Sequence, residues 1–198
     1  MMFRATDLAH LLIRRVLEPG DWALDATAGN GHDTLLLAER VGPSGRVFSF
    51  DIQEAALAQA AQRAGHLPQV SFIQAGHERL ADFLPDTRPD GRPVELAAAM
   101  FNLGYLPGGA KDMTTQAGTT IAALDQVLDR LKPHGLVTLV LYPGHAGGAE
   151  EAAAVRAHAK RLGGDFSVSC HARLNAARPA PELVTIERTG PAPAPMAG

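Results

Sequence analysis

The run Ala23-Leu-Asp25-Ala-Thr-Ala-Gly29-Asn-Gly31-His-Asp33-Thr34, followed by Phe48-Ser-Phe-Asp51, constrains the fold more than any other part of the chain. A short apolar run ends in an acid and a glycine pair makes a tight turn. A helix follows, and a second apolar run ends in another acid about 20 residues beyond Gly31. This is the strand–turn–helix–strand order of a Rossmann-type half. In such a half the glycines admit a ligand close to the backbone and the helix N-terminus faces an anionic group. The second carboxylate accepts hydrogen bonds from ribose hydroxyls.

The dinucleotide fingerprint would carry a third glycine where this chain has Thr34. An acid closing the first strand, with only two glycines after it, suits S-adenosylmethionine better than a pyrophosphate cofactor. Its methionine carboxylate can sit at the helix N-terminus, and its ammonium can meet a carboxylate or carbonyls near Asp25. On this reading Asp51 holds the ribose, the 29–34 turn the methionine part, and His77, just past the third strand, the adenine. The competing reading is a Gly-Asn-Gly turn that merely reverses the chain.

Elsewhere the pattern alternates. Strands are expected at 22–26, 46–51, 69–74, 95–101 and 135–142, and helices at 5–18, 32–41, 53–65, 77–83, 118–131 and 148–162. Alternation implies a parallel sheet with helices on both faces. Two further runs, 166–173 and 182–188, have no helix between them and read as a terminal antiparallel hairpin. The expected fold is therefore α/β, a Rossmann-like seven-stranded sheet ending in a hairpin, as in class I methyltransferases. Residues 1–190 read as one domain and the Pro/Ala-rich 191–198 as a disordered tail. No apolar run approaches the roughly 18 residues of a membrane span, and no secretory signal opens the chain. The single cysteine, Cys170, excludes an intrachain disulfide or a Cys-cluster metal site, and the histidines show no metal-ligand spacing. A cytoplasmic protein with no membrane partner and no metal is expected. A net charge of −3 argues against indiscriminate nucleic-acid binding. Small basic pairs, Arg14-Arg15 and Lys160-Arg161, leave room for a local RNA-binding face.

A second constellation follows the fourth strand, Asn102-Leu-Gly-Tyr105-Leu-Pro-Gly-Gly. Ligands of a parallel sheet bind beyond the C-terminal strand ends, which puts Asn102 beside the cofactor crevice. Asn with Tyr three positions later resembles the Asn-Pro-Pro-Tyr loop of methyltransferases that act on amino nitrogens. A carboxamide oxygen and a backbone carbonyl can accept both hydrogens of an NH2 group and so aim its lone pair, while the ring stacks on a base. A structural Asn cap in a glycine-rich loop is the plainer alternative. The fifth strand ends in Tyr142-Pro-Gly-His145, which brings His145 to the same rim as a polar loop residue or a candidate base. A primary alkylamine has a pKa near that of lysine, about 10.4, so it must lose a proton before it attacks.

Taken together, Asp25–Thr34, Phe50-Asp-Ile-Gln53, Gly76-His-Glu78, Phe101–Gly109, Lys111, Thr114-Thr115, Thr119-Thr120 and Tyr142–His145 resemble the rRNA methylase family of YtqB-like proteins, over about residues 5–188. The resemblance adds Thr27, Asn30, Ile52, Gln53 and Gly76 to the cofactor residues. It makes Tyr105, Leu106, Pro107, Lys111, Tyr142, His145 and Asn175 candidates for the substrate side. It makes Asn102, Tyr105 and His145 the candidate catalytic group. Despite the family name, characterised members methylate the tRNA wobble uridine in the anticodon loop, turning 5-aminomethyl-2-thiouridine into 5-methylaminomethyl-2-thiouridine, with S-adenosyl-L-homocysteine as by-product. That reaction is what the resemblance implies here. The chain departs from the family before its last strand. Asn175 and Pro181 are kept, whereas Arg178 and Ala180 differ from the family pattern.

Other readings stay open on the residues alone: a methyltransferase for rRNA or a small amine, an NAD-dependent dehydrogenase, or a cofactor-binding RNA partner without turnover. The oligomeric state is open too, a homodimer among the alternatives.

Overall fold

The computed structural model describes residues 4–104, 115–145 and 147–190. Among these, seven strands form one sheet in the order β3-β2-β1-β4-β5-β7-β6. In chain order the elements are α1 (Ala5–Val16), β1 (Trp22–Asp25), α2 (His32–Val41), β2 (Arg46–Asp51), α3 (Glu54–Ala64), β3 (Val70–Gln74), a 3-10 turn (His77–Asp82), β4 (Leu96–Leu103), α4 (Ala117–Asp129), β5 (Leu131–Leu141), α5 (Gly148–Ala159), β6 (Phe166–His171) and β7 (Glu182–Arg188). Strands β1 to β5 run parallel. The β6–β7 hairpin is antiparallel and inserts β7 beside β5, leaving β6 at the edge.

The central strands alternate between two cores because successive side chains point to opposite faces. In β5, Val137, Leu139 and Leu141 pack with Ala123, Leu124, Val127, Ala152 and Val155 of α4 and α5. Leu136 and Val140 pack on the opposite face with Ala5, Ala9 and Ile13 of α1 and with Leu36, Leu37 and Val41 of α2. In β4 the same division separates Ala99, Phe101 and Leu103 from Ala98 and Met100. On this face α1 packs chiefly against β5 and β7, with Ala97 and Ala98 of β4 in the same core.

Two expectations need correction. The helix expected at 77–83 is a broken 3-10 turn, with Arg79 at φ −99° and ψ 16°. Its side chains bind elsewhere: the His77 ring turns in to Ala26 O at 3.1 Å. Gln126 of α4 satisfies the exposed backbone, accepting from Ala81 N at 3.0 Å and donating to Glu78 O at 2.6 Å. The helix expected to reach 131 stops at Asp129, and β5 begins at Leu131, paired with Leu96. The register then shifts before Leu136 meets Ala98, and His134 lies within the shifted stretch with φ 61°.

Candidate active site

A cleft of about 810 Å³ opens beyond the C-terminal ends of β1 to β5, with α1 as one wall. It lies where the strand order reverses between β1 and β4, the switch point at which open parallel sheets bind ligands.

Its floor is the turn after β1. Ala26 N donates to Met100 O at 2.9 Å and Ala28 N to Phe50 O at 2.8 Å, so both neighbouring strands hold it. Gly29 (φ 48°) donates its N–H to Asp51 Oδ2 at 3.0 Å, and Gln53 N donates to Asp51 Oδ1 at 2.9 Å. The Asp51 carboxylate is therefore oriented by two backbone groups and keeps further lone pairs for a ligand. Beyond it Ile52 is 53% exposed and presents an apolar face to the cleft.

Of the residues expected to meet a cofactor, Thr27, Gly29, Asn30, Asp33, Asp51, Ile52, Gln53, Gly76, His77 and Asn102 line the cleft. Asp25, Gly31 and Thr34 lie behind its wall. Asp25 is fully buried; its Oδ2 accepts from Thr34 Oγ1 at 2.6 Å, its Oδ1 from Thr27 N at 3.1 Å, and Thr34 bonds Ser49 Oγ at 2.8 Å. Burial, with Asp33 and Asp51 adding repulsion, pushes the Asp25 carboxyl from 3.8 to about 7 against the pull of those hydrogen bonds. Asp25 thus shapes the turn, and Asp33 is the nearby carboxylate that reaches the cleft. Gly31 serves helix packing: a Cβ there would stand 2.6 Å from Ala60 Cα of α3.

The other half of the cleft is built around Asn102. Its backbone N–H donates to Thr27 Oγ1 at 2.8 Å, tying the end of β4 to the turn. Its side-chain Nδ2 donates to Asp33 Oδ2, and its Oδ1 is buried with no protein partner. A carboxylate only accepts, so this bond settles which end of the amide is the oxygen. His10 of α1 binds the other Asp33 oxygen through Nε2 at 2.5 Å. Tyr142 and His145 line the same region. Burial first, then the Asp33 charge, raises the Tyr142 hydroxyl pKa. The His145 ring is seated beside glycines, its Nε2 2.8 Å from where a Gly148 Cβ would be.

On the opposite side His77 is buried, with Nδ1 on Ala26 O and its ring edge-on to Phe101 at 5.8 Å. Because a carbonyl accepts, Nδ1 carries the hydrogen, leaving the unpartnered Nε2 as an acceptor. Burial lowers the imidazole pKa, which keeps that lone pair.

Tyr105, Leu106, Pro107 and Lys111 lie outside the described residues. The ends of that segment meet through Thr115 N and Gly104 O at 3.1 Å, and buried Glu151 accepts from Thr115 and Thr120 hydroxyls, each at 2.8 Å. Asn175 is exposed on the β6–β7 connection and is not part of the cleft lining, although that connection passes the rim at Gly144 and Pro179. Sequence reasoning gave no site role to Arg4, the N-cap of α1, to Thr6, Asp7 and His10 of α1, or to Glu78, Gln116 and Thr119, all of which line the cleft. Thr6 and His10, four residues apart, share a helix face, but nothing local says that this face covers the strand ends.

The strand order, the hairpin and a cleft edged by the β2 acid define the class I methyltransferase architecture. The chain belongs to the family described as "Putative rRNA methylase", which matches residues 47–187. A Clostridium thermocellum protein described as a "putative rRNA-methylase" is 35% identical, with a TM-score of 0.88 over 95% of this chain and 99% of that one. A Streptococcus mutans "putative methyltransferase" solved in complex with SAH is 32% identical, with a TM-score of 0.83 over 95% and 99%. The chloroplastic "tRNA (mnm(5)s(2)U34)-methyltransferase" of Arabidopsis thaliana is 36% identical over 170 residues, which make up 80% of this chain. The match spans 60% of that relative's own length. Among the described residues, no group of three or more His, Cys, Asp or Glu could hold a metal, and no helix is long and apolar enough to cross a membrane.

Proposed function

We propose that this protein is an S-adenosylmethionine-dependent N-methyltransferase whose acceptor is the aminomethyl group of 5-aminomethyl-2-thiouridine at the tRNA wobble position. The observation that carries the amine is the Asn102 carboxamide. Its NH2 is spent on Asp33 and its buried oxygen has no protein partner. A buried acceptor left unpaired is costly, and an N–H of a bound amine would satisfy it. The Arabidopsis relative's name supports the tRNA substrate.

For the cofactor, Asp51 offers lone pairs to ribose hydroxyls, Ile52 an apolar face to the base, and His77 Nε2 a buried acceptor for an amino hydrogen such as that on adenine. The methionine end would meet the Gly29–Asn30 turn and Asp33. The S. mutans neighbour's complex with SAH supports the same cofactor class. When bound, the cofactor supplies an electrophilic methyl. The residues of this chain then orient the amine, exclude water and accept its hydrogens, and such positioning can supply several kcal/mol of the barrier reduction.

The test is incubation with labelled S-adenosylmethionine and tRNA carrying 5-aminomethyl-2-thiouridine, read by nucleoside mass spectrometry. Label on the exocyclic nitrogen is expected. Label confined to a ring carbon or a ribose oxygen, or no label at all, would overturn the reading.

A further inference from the structure

One cluster in the cleft joins Asp33, at the proposed methionine end, to His10 of α1 and Asn102 of β4. Asp33, at the start of α2, receives His10 Nε2 on Oδ1 and the Asn102 amide on Oδ2. A carboxylate accepting on both oxygens makes both neighbours donors. Asn102 therefore keeps its oxygen for the acceptor, and His10 carries its hydrogen on Nε2 and its lone pair on Nδ1. Carboxylate-bound imidazole is the arrangement that holds one tautomer and stabilises the cation formed on protonation. The His10 side chain is 31% exposed, so a proton it gains has a way out to water.

We propose that His10 takes the proton from the acceptor's primary ammonium, with Asp33 as its positioning residue; this rests on the amine reading of Asn102. An alkylammonium with a pKa of about 10.4 is cationic at neutral pH and has no lone pair for attack. In the step, one ammonium N–H bond breaks and its electron pair stays on nitrogen, while the proton bonds to His10 Nδ1. Asp33 holds the resulting imidazolium, which returns the proton to water. Asn102 Oδ1 accepts one of the two remaining N–H groups and so aims the new lone pair.

Charged and titratable groups around His10 come from several elements. Arg4 caps its own helix and Asp7 stands on it, His32 and Asp33 lie on α2, and Tyr142 and His145 after β5. Arg40 of α2 is engaged with Arg14 O and Leu17 O, and Glu182 of β7 with Arg156.

The experiment is single-turnover methyl transfer to tRNA bearing 5-aminomethyl-2-thiouridine, at saturating cofactor, from pH 7 to above the amine's pKa. His10→Gln should be slower by about 10²-fold or more at pH 7. The deficit should shrink as pH rises, because the amine then deprotonates without help. Cofactor affinity should hold. His145→Gln should keep the wild-type shape of the pH profile. Separately, nitrogen NMR of labelled histidine, assigned by loss of the signal in His10→Gln, should show His10 with hydrogen on Nε2. A pH-independent deficit in folded His10→Gln, a wild-type rate, a pH-rescued deficit in His145→Gln instead, or hydrogen on Nδ1 would each overturn the proton role alone. A wild-type enzyme that leaves the amine unmethylated would bring down the substrate reading and this proposal with it.

Discussion

The two halves of the cleft are built differently. The half proposed for the cofactor comes largely from one stretch, residues 25–53, in which the turn, Asp51 and Gln53 bond one another across a single strand–helix–strand unit. The half proposed for the acceptor joins His10, Asp33, Asn102, Tyr142 and His145, from α1, α2 and the ends of β4 and β5. Asp33 touches both halves. A local motif carries its own geometry in the spacing of its residues, whereas a dispersed site has geometry only once the sheet has formed.

Substitutions can break or sharpen this contrast. The largest effect should come from Gly31→Val in the local half. Gly31 has φ 76°, and a Cβ would meet Ala60 backbone at 2.6 Å, while Gly42, also at positive φ, has open space around it. Backbone strain and overpacking each cost roughly 1–3 kcal/mol. Thermal unfolding should therefore show Gly31→Val well below Gly42→Val, with cofactor binding lost through the collapsed turn. Equal melting temperatures would remove the packing role.

In the dispersed half, Asn102→Ala should slow methyl transfer at saturating cofactor by about 10²-fold while changing cofactor affinity much less, since misplacement of a reactant costs on that order. Calorimetry and single-turnover rates separate the two quantities. A parallel loss of both would mean that the halves are not separable at Asn102.

Asp51→Ala should have the reverse profile. A hydrogen bond to a charged group contributes roughly 1.5–3 kcal/mol, so cofactor affinity should fall about tenfold or more in a folded protein. Unchanged affinity would reject Asp51 as the ribose acceptor.

The smallest effect on binding and turnover should come from Asp25→Asn, a change beneath both halves that acts on the pH dependence of stability. Asp25 has a folded pKa of about 7 against an ordinary 3.8. The native state therefore binds the extra proton, and this group's contribution falls as pH rises from about 4 to about 7. Asn can accept from Thr27 N and donate to Thr34 Oγ1. The variant's stability relative to wild type should accordingly rise across that window, as denaturant titrations at several pH values can measure. A flat difference would mean that Asp25 stays ionised in the fold.

The sequence by itself determined the class of fold. Alternating apolar runs, helical periods between them, and a final pair of strands without a helix lead to a parallel sheet with a terminal hairpin, because these are properties of neighbouring residues. It also determined where the glycine turn after β1 lies and that Asp51 ends β2. Only the tertiary structure decided that Asp25, Gly31 and Thr34 stand behind that wall as supports, since burial depends on what packs from elsewhere. Asp25 meets Thr34 across the turn, and Gly31 meets Ala60 of another helix. The 3-10 turn at His77–Asp82 was likewise illegible, because the bonds that hold it come from Ala26 and Gln126. His10 shows the limit most plainly. Its partner Asp33 is 23 residues away and Asn102 a further 69. No local period encodes such a meeting; it arises only when α1 packs on the sheet, chiefly against β5 and β7, and reaches the strand ends.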